Sequence, residues 1–368
     1  MPPEKAGPIK LLIVDDSFFM RKMLQDIFAE TNGAIQVVDT AQNGLEALEK
    51  TKKLKPDVIT LDVEMPKMDG LTALEKIMKE RPTPVVMLSS HTGKGAEATI
   101  RALEMGAVDC VAKPAGRVLE NVRAVQGELI EKIKMAALCG PQIQKLSHPK
   151  YPVPEGEDRK FPRTAKVTQG IARPATFLVA IASSTGGPRA LNELFSKIRK
   201  NPFAAFVIVQ HISIGFTKAL ARRLSEVSPL TVEEAQESQC LNGGTAYIAP
   251  GGIHLVLEGT PGCYRFALDD QPPRLGVKPS ADIMMASVAK AAGKYCLGVV
   301  LTGMGRDGTA GLKSIRAAGG KTLVQDAESC VVYGMPKSAM DAGLADRQLP
   351  LLEMASEING LLSGKEGA

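Results

Sequence analysis

The sequence predicts an α/β protein made of two doubly wound parallel-sheet domains joined by a linker. Two observations carry that reading. In both halves of the chain, short apolar, β-rich runs alternate with longer segments of helical period, the pattern of a parallel sheet wrapped by helices. Between the halves the texture changes, and prolines punctuate a polar stretch without an apolar period. In the first half Leu11–Asp16, Ile35–Thr40, Asp57–Asp62, Pro84–Ser89 and Val108–Ala112 read as strands, with helical segments between them and after the last. From about Ala136 to Pro174 the chain carries Pro141, Pro149, Pro152, Pro154, Pro162 and Pro174, with charged residues from Glu155 to Lys160. In the second half Phe177–Ala182, Ala204–His211, Cys296–Gly303 and Lys321–Asp326 read as strands. Leu191–Ile198, Phe216–Val227, Ala281–Ala292 and Gly308–Ala318 read as helices. The turn-rich stretch from Thr231 to Asp269, with Asn242-Gly243-Gly244 and Pro250-Gly251-Gly252, fits a β-hairpin insertion.

Bulk properties narrow the function classes. A chain of 368 residues suits about two domains. Its 44% hydrophobic and 23% charged residues are ordinary for a globular protein. A net charge of +5 is small for this length, and no basic stripe interleaved with aromatics is present, which argues against nucleic acid as a partner. Trp is absent and aromatics are 4%, so base-stacking platforms are not expected. The six cysteines form no C-x-x-C pair and no zinc spacing, and they read as reduced thiols of a cytoplasmic protein. No apolar run approaches the ~20 residues of a membrane span, and the first residues lack a signal-peptide core. Direct membrane insertion is therefore not expected.

The first half collects an acidic pocket. Asp15 and Asp16 close the first strand and Asp62 closes the third. In a parallel sheet these carboxylates converge on the carboxyl edge, where such folds bind ligands. Crowded carboxylates repel, and a hard cation with oxygen ligands relieves that cost; Mg²⁺ fits, since it is held by a few carboxylates and waters beside a phosphate. Ser89 and Lys113 close the fourth and fifth strands, where a hydroxyl and an ammonium can contact phosphate oxygens.

In the second half Ser183-Ser184-Thr185-Gly186-Gly187-Pro188 follows an apolar strand and opens a helix. Backbone N–H groups at a helix N-terminus favour developing negative charge. A serine there suits a hydrolase, provided a base and an orienting acid reach it. Of the four histidines, His91 falls in the first half and His148 in the linker. His211 ends a strand at the edge that the serine shares, whereas His254 reads as a rim or structural residue. Asp307 follows the strand ending near Leu301 and also suits a helix N-cap before Gly308. Gly303 and Gly305 allow close backbone approach, so a nearby N–H can serve an oxyanion. No G-x-S-x-G elbow, G-x-G-x-x-G or P-loop lysine is present. From the residues alone, Ser183 and Ser184 both remain candidate nucleophiles.

Two resemblances add to this reading. Residues 9–130 resemble a flavodoxin-like response-regulator receiver domain through Val14-Asp15-Asp16, Leu61-Asp62-Val63-Glu64-Met65-Pro66, Asp69-Gly70, Ser89-Ser90 and Lys113-Pro114. This resemblance implies phosphorylation of Asp62 by a chemotaxis histidine kinase. Asp15, Asp16, Asp62 and the Glu64 backbone carbonyl would surround Mg²⁺, Ser89 would be the switch hydroxyl, and Lys113 would pair with the acyl phosphate. Cys110 stands where many receivers carry an aromatic switch residue.

Residues 176–364 resemble the catalytic domain of chemotaxis protein-glutamate methylesterases. The matching stretches are Ser184-Thr185-Gly186-Gly187, Gln210-His211 with Gly215-Phe216-Thr217, Ala246-Tyr247-Ile248-Ala249-Pro250-Gly251, Leu301-Thr302-Gly303-Met304-Gly305 with Asp307-Gly308, and Cys330 to Pro336. The register implies Ser184 as nucleophile, His211 as base and Asp307 as its orienter, with Thr185 and the Met304 amide at the oxyanion site. It implies removal of methyl esters from glutamates of chemoreceptor cytoplasmic helices and deamidation of certain glutamines, with no cofactor for the hydrolase. It also implies that the unphosphorylated receiver covers the catalytic edge. The proline-punctuated polar stretch reads as an interdomain linker, residues 131–175. Departures are Ala182-Ser183, Ile212-Ser213-Ile214 and Arg306. The other classes open to this sequence are an esterase or amidase acting on a non-receptor protein, a response regulator whose second domain only binds partners, and a DNA-binding regulator; the last lacks a basic recognition helix.

Overall fold

A computed structural model describes residues 7–89, 93–113, 119–147 and 173–363. The chain divides into two compact units between residues 155 and 156. His148, Pro149, Pro152, Pro154 and Pro162 of the expected linker, along with Ser90, His91 and Pro114, lie outside the described residues.

The first unit runs β1 (Ile9–Val14), α1 (Phe18–Ala29), β2 (Ile35–Ala41), α2 (Gly44–Leu54), β3 (Val58–Asp62), α3 (Gly70–Glu80), β4 (Val85–Ser89), α4 (Gly93–Glu104), β5 (Asp109–Ala112), α5 (Leu119–Leu138) and α6 (Gly140–Ser147). The five strands pair in parallel in the order β2-β1-β3-β4-β5. The chain turns from one side of β1 to the other, so a crevice opens at the carboxyl ends of β1 and β3. Polar caps start the helices at that edge or opposite it: Met20 N–H donates to Ser17 Oγ (3.3 Å), Glu46 N–H to Asn43 Oδ1 (3.1 Å) and Thr72 N–H to Asp69 Oδ1 (2.8 Å).

The expected linker from residue 131 is corrected by α5 and α6. Leu129, Ile133, Ala136, Cys139 and Ile143 recur at helical spacing and are buried, so an apolar stripe continues to Ser147. Pro141 sits in the first turn of α6, where its missing N–H costs nothing, and opens that helix instead of breaking structure.

The second unit runs β6 (Phe177–Ser183), α7 (Gly187–Phe195), β7 (Ala204–Gln210), α8 (Thr217–Val227), β8 (Thr231–Glu234), β9 (Thr245–Ile248), β10 (His254–Thr260), β11 (Cys263–Asp269), α9 (Ala281–Ala292), β12 (Cys296–Val300), α10 (Thr309–Ala317), β13 (Lys321–Gln325), α11 (Met335–Asp341), β14 (Arg347–Leu349) and α12 (Leu351–Ser363). Seven strands pair in parallel in the order β14-β13-β12-β6-β7-β9-β8. Strands β6, β7 and β12 are buried along their whole length, which is why they read as continuous apolar runs. After β6 the chain builds outward on one side, then returns through β12 to build the other. The crevice therefore opens between the carboxyl ends of β6 and β12.

The insertion expected from Thr231 to Asp269 is half right. β10 and β11 form an antiparallel hairpin outside the main sheet, but β8 and β9 extend that sheet in parallel. The short strands were masked by the turns around Asn242-Gly243-Gly244. Among the described residues, no helix is long and apolar enough to cross a membrane.

Candidate active sites

The acidic rim of the first unit gathers most of the residues expected there. Neighbouring strands β1 and β3 bring Asp15 and Asp62 together, both buried, while Asp16 is exposed. Carboxylate oxygens of Asp15, Asp16 and Asp62 lie within 4.8 Å of one another. Lys113 Nζ stands 2.8 Å from Asp15 Oδ2 and 2.8 Å from Asp62 Oδ2. Asp15 Oδ2 is buried and faces the Lys113 ammonium. Three carboxylates gathered this closely, two of them buried, are the ligand set of a hard divalent cation. Burial pushes the Asp62 carboxyl up to about 6, with Lys113 opposing and Asp15 assisting. Lys113 is raised: burial alone would lower it, and its bonds to Asp15 and Asp62 outweigh that.

Gly70 is required at this rim, because a Cβ there would lie 2.0 Å from the Asp62 carbonyl oxygen. Glu64 follows β3 with an exposed side chain. Ser89 ends β4 with its buried hydroxyl donating to Gly95 O (3.1 Å), and Ser89 O accepts from Lys113 N–H (2.8 Å). Cys110 is fully buried in β5, and burial lifts its thiol to about 12, so it is inert at neutral pH. Its carbonyl accepts from Lys132 Nζ (2.6 Å), which also pairs with Asp109 (3.0 Å) and Glu128 (2.8 Å) and ties α5 to β5.

The second unit assembles the Ser/His/Asp rim. Ser183 pairs with Gln210 in the β6–β7 register, and His211 N–H donates to Ser183 O (2.9 Å). Ser184 and His211 are thus the first residues beyond the paired ends of adjacent strands. On the other flank, Ser184 N–H donates to Thr302 O (3.0 Å), which locks the serine to the segment after β12. Ser184 is partly exposed, whereas Ser183 is fully buried with its hydroxyl donating to Gln210 Oε1 (2.7 Å). Exposure separates the two serines that the residues alone left open.

His211 Nε2 lies 2.9 Å from Asp307 Oδ2. The Ser184 hydroxyl makes no hydrogen bond to His211 here; such bonds tighten when substrate is bound. Because Asp307 holds Nε2, Nδ1 is the ring nitrogen left without that partner.

Asp307 caps a helix, but a different one from the helix it precedes. Gly308 stands at the N-cap of α10 without a side-chain bond. The Asp307 carboxylate instead meets the start of α9: it accepts from Ala281 N–H (2.6 Å), Asp282 N–H (3.0 Å) and Ser280 Oγ–H (2.8 Å). Asp282 returns the favour to α10, accepting from Gly308 N–H (2.9 Å) and Gly311 N–H (2.8 Å). Burial alone would raise Asp307, but the His211 bond and charge and the two α9 N–H groups hold it below the ordinary carboxylate value. Burial raises Asp282. His254 is the structural residue it was expected to be: fully buried, it accepts Ser280 N–H at Nδ1 (3.0 Å) and its Nε2 meets Pro272 O (3.2 Å).

Glycines shape the rest of the rim. A Cβ on Gly303 would lie 2.7 Å from Ser184 Cβ and 2.4 Å from Met335 Sδ, so this glycine permits the close approach expected of it. Gly305 has open space, and its φ of +84° is what calls for glycine. Pro188 sits in the first turn of α7 as expected, after Gly186 with φ +77°. Thr185 is buried and its carbonyl accepts from Thr302 Oγ1 (3.0 Å), while Met304 is 42% exposed at the mouth. Sequence reading missed Ser280, Asp282 and Gln325, whose Oε1 accepts from Thr302 N–H (2.8 Å), and it gave Gln210 a place beside His211 but no role. Each of them hydrogen-bonds to residues far away in the chain.

Fold and rims together define a class: an α/β unit with an acidic phosphoacceptor-type pocket, followed by an α/β unit with a Ser/His/Asp rim of hydrolase type. The family model of the response regulator receiver domain matches residues 11–122, and that of CheB methylesterase matches residues 179–358. The chain is 44% identical over 352 residues to a protein-glutamate methylesterase/protein-glutamine glutaminase of Symbiobacterium thermophilum, covering 95% of this chain and 96% of that one. It is 43% identical to the protein of the same description from Geobacillus kaustophilus, over 96% of this chain and 99% of the other. The one from Pyrococcus abyssi is also 43% identical, over 95% and 92%. The chain belongs to this enzyme family, the methylesterases joined to a response-regulator receiver domain.

Proposed function

We propose that this chain is a phosphorylation-activated protein-glutamate methylesterase and protein-glutamine glutaminase of chemotaxis, acting through Ser184, His211 and Asp307. The observation that carries the site assignment is the His211–Asp307 contact of 2.9 Å beside Ser184, at the crevice between β6 and β12. Ser184 Oγ attacks the carbonyl carbon of a glutamate γ-methyl ester while His211 Nδ1 takes its proton. Asp307 stays ionised, fixes the imidazole at Nε2 and stabilises its cation. The Met304 backbone N–H and Thr185 face the developing oxyanion, beside the N-terminus of α7. Collapse of the tetrahedral intermediate passes the proton from His211 to methoxide, and methanol leaves. Water, deprotonated by His211, then cleaves the acyl-enzyme and frees the glutamate and the serine. With a glutamine the same attack releases ammonia.

On this reading the receiver domain begins at residue 9 and runs past residue 130 to the end of α5, and the catalytic domain spans residues 176–364. The substrates are methylated cytoplasmic helices of chemoreceptors, and the phosphodonor is a chemotaxis histidine kinase. An oxygen of Asp62 attacks the phosphorus of the donor's phosphohistidine; the P–N bond breaks, the donor imidazole leaves, and Asp62 becomes an acyl phosphate. Asp15, Asp16, Asp62 and the Glu64 carbonyl would hold Mg²⁺, which when bound neutralises charge on the phosphoryl oxygens. Lys113 moves from its carboxylate pair to the new phosphate, and Ser89 supplies a hydroxyl to it. Activation requires that the phosphorylated receiver favour the active arrangement; a tenfold gain needs ~1.4 kcal/mol. The direct test is fluorophosphonate labelling with peptide mapping, together with methanol release from methylated receptor. Labelling at Ser184 and its loss with His211→Ala are expected; labelling elsewhere overturns the assignment.

A further inference from the structure

We infer that Gln210 is a positioning residue that sets the distance between nucleophile and base, and that Ser183 orients it. Its side-chain amide gives one hydrogen to Ser184 O (2.9 Å) and the other to His211 O (2.9 Å). One primary amide thereby joins the backbones of the two residues that must exchange a proton. Gln210 is 1% exposed, so its amide is withdrawn from bulk solvent and depends on these partners. The amide is held the right way round from behind, because Ser183 Oγ–H donates to Oε1 (2.7 Å) and leaves only the NH₂ for the carbonyls.

The slot is built for this side chain. A Cβ on Gly187 would lie 2.0 Å from Gln210 Oε1 and 2.9 Å from Ser183 Cβ, so the helix that follows the nucleophile begins with a residue that leaves room for the amide. The backbone ladder ends here, with Ser183 and Gln210 the last paired residues of β6 and β7. Beyond that point the amide takes over from the ladder and holds the two diverging loops. Displacement of a reacting group by about 1 Å costs about 10²-fold in rate, so the effect belongs in turnover, not in substrate affinity.

The inference rests on Ser184 and His211 being nucleophile and base, and its test separates the two claims. Full-length wild type, Ser183→Ala, Gln210→Leu, Gln210→Glu, Gly187→Ala and the Ser183→Ala/Gln210→Leu double variant are titrated with a fluorophosphonate. Turnover on methylated receptor is then expressed per labelled Ser184. Gln210→Leu and Gln210→Glu should lose about 10²-fold in kcat with KM within twofold, since neither can donate to both carbonyls at once. Gly187→Ala should follow them, and Ser183→Ala should lose about 3- to 10-fold. The double variant should be no worse than Gln210→Leu, because the hydroxyl acts only through the amide. Gln210→Glu keeps the shape of the side chain and serves if Gln210→Leu fails to fold. A purely structural role lowers the labelled fraction and leaves kcat per label unchanged; that result, or additive losses in the double variant, overturns the inference. Wild type that is not labelled at Ser184 overturns the underlying site assignment instead.

Discussion

Asp62 and Asp307 occupy like places, each buried at the carboxyl edge of a parallel sheet, yet their protons behave oppositely. Asp62 is raised to about 6, because burial and Asp15 outweigh Lys113. Asp307 is held below its ordinary value, because its neighbours all donate: His211, Ser280 and the first N–H groups of α9. The fold supplies the position; the surrounding donors supply the charge state. A carboxylate that is costly to ionise suits a pocket that takes up a cation and a phosphoryl group. One that stays ionised suits a partner for an imidazolium.

Breaking the catalytic rim should have the largest effect. Ser184→Ala or His211→Ala should lower methanol release by about 10⁶-fold, while phosphate uptake at Asp62, followed with a radiolabelled small-molecule phosphodonor, stays normal. Asp307→Asn is more informative about the comparison itself. All the hydrogen-bonding neighbours of this carboxylate are donors, so an amide NH₂ must face at least one of them. A loss of about 10⁴-fold in kcat is expected, and wild-type turnover would break the comparison on the catalytic side. Gly303→Ala should follow at about 10²-fold, since the new methyl displaces Ser184. Normal kcat there would mean that the 2.7 Å approach to Ser184 Cβ is not needed.

The smallest effect sharpens the other side. The folded pKa of Asp62 is raised from 3.8 to about 6, so between those values the folded state binds more protons than the unfolded one. Stability of the receiver should therefore fall as pH rises through that window. Asp62→Asn removes the cost: in chelator it should stabilise the receiver by about 1–3 kcal/mol well above pH 6, with the gain gone below 3.8. Denaturant melts at several pH values measure it, and a gain of the same size at every pH would refute the charge argument.

Much of this was legible in the chain because parallel strands buried on both faces are continuous apolar runs, and chemistry sits where those runs end. His211, Asp15 and Asp62 could be placed at the sheet edges from that rule, which also narrowed the serine to Ser183 or Ser184; Asp307, seven residues past the end of β12, needed the other two beside it. Short strands at and next to the sheet edges were less legible: β8, β9 and β14 have four, four and three residues, too few for a pattern to stand out among turns. The helical stripe past residue 131 was hidden because prolines and polar residues begin before its last buried positions, Cys139 and Ile143. Cross-chain polar partnerships were not legible at all. That Asp307 caps α9 while Asp282 caps α10 depends on three-dimensional proximity, and no local pattern at either residue reports it.

The measurement that bears most directly on the account is methanol release from methylated receptor with and without a small-molecule phosphodonor and Mg²⁺. Wild type should turn over slowly alone and faster with both additions, Asp62→Asn should show only the slow rate, and Ser184→Ala should release no methanol in either condition. Methanol release by Ser184→Ala at the wild-type rate would contradict the account, as would activation that persists in Asp62→Asn.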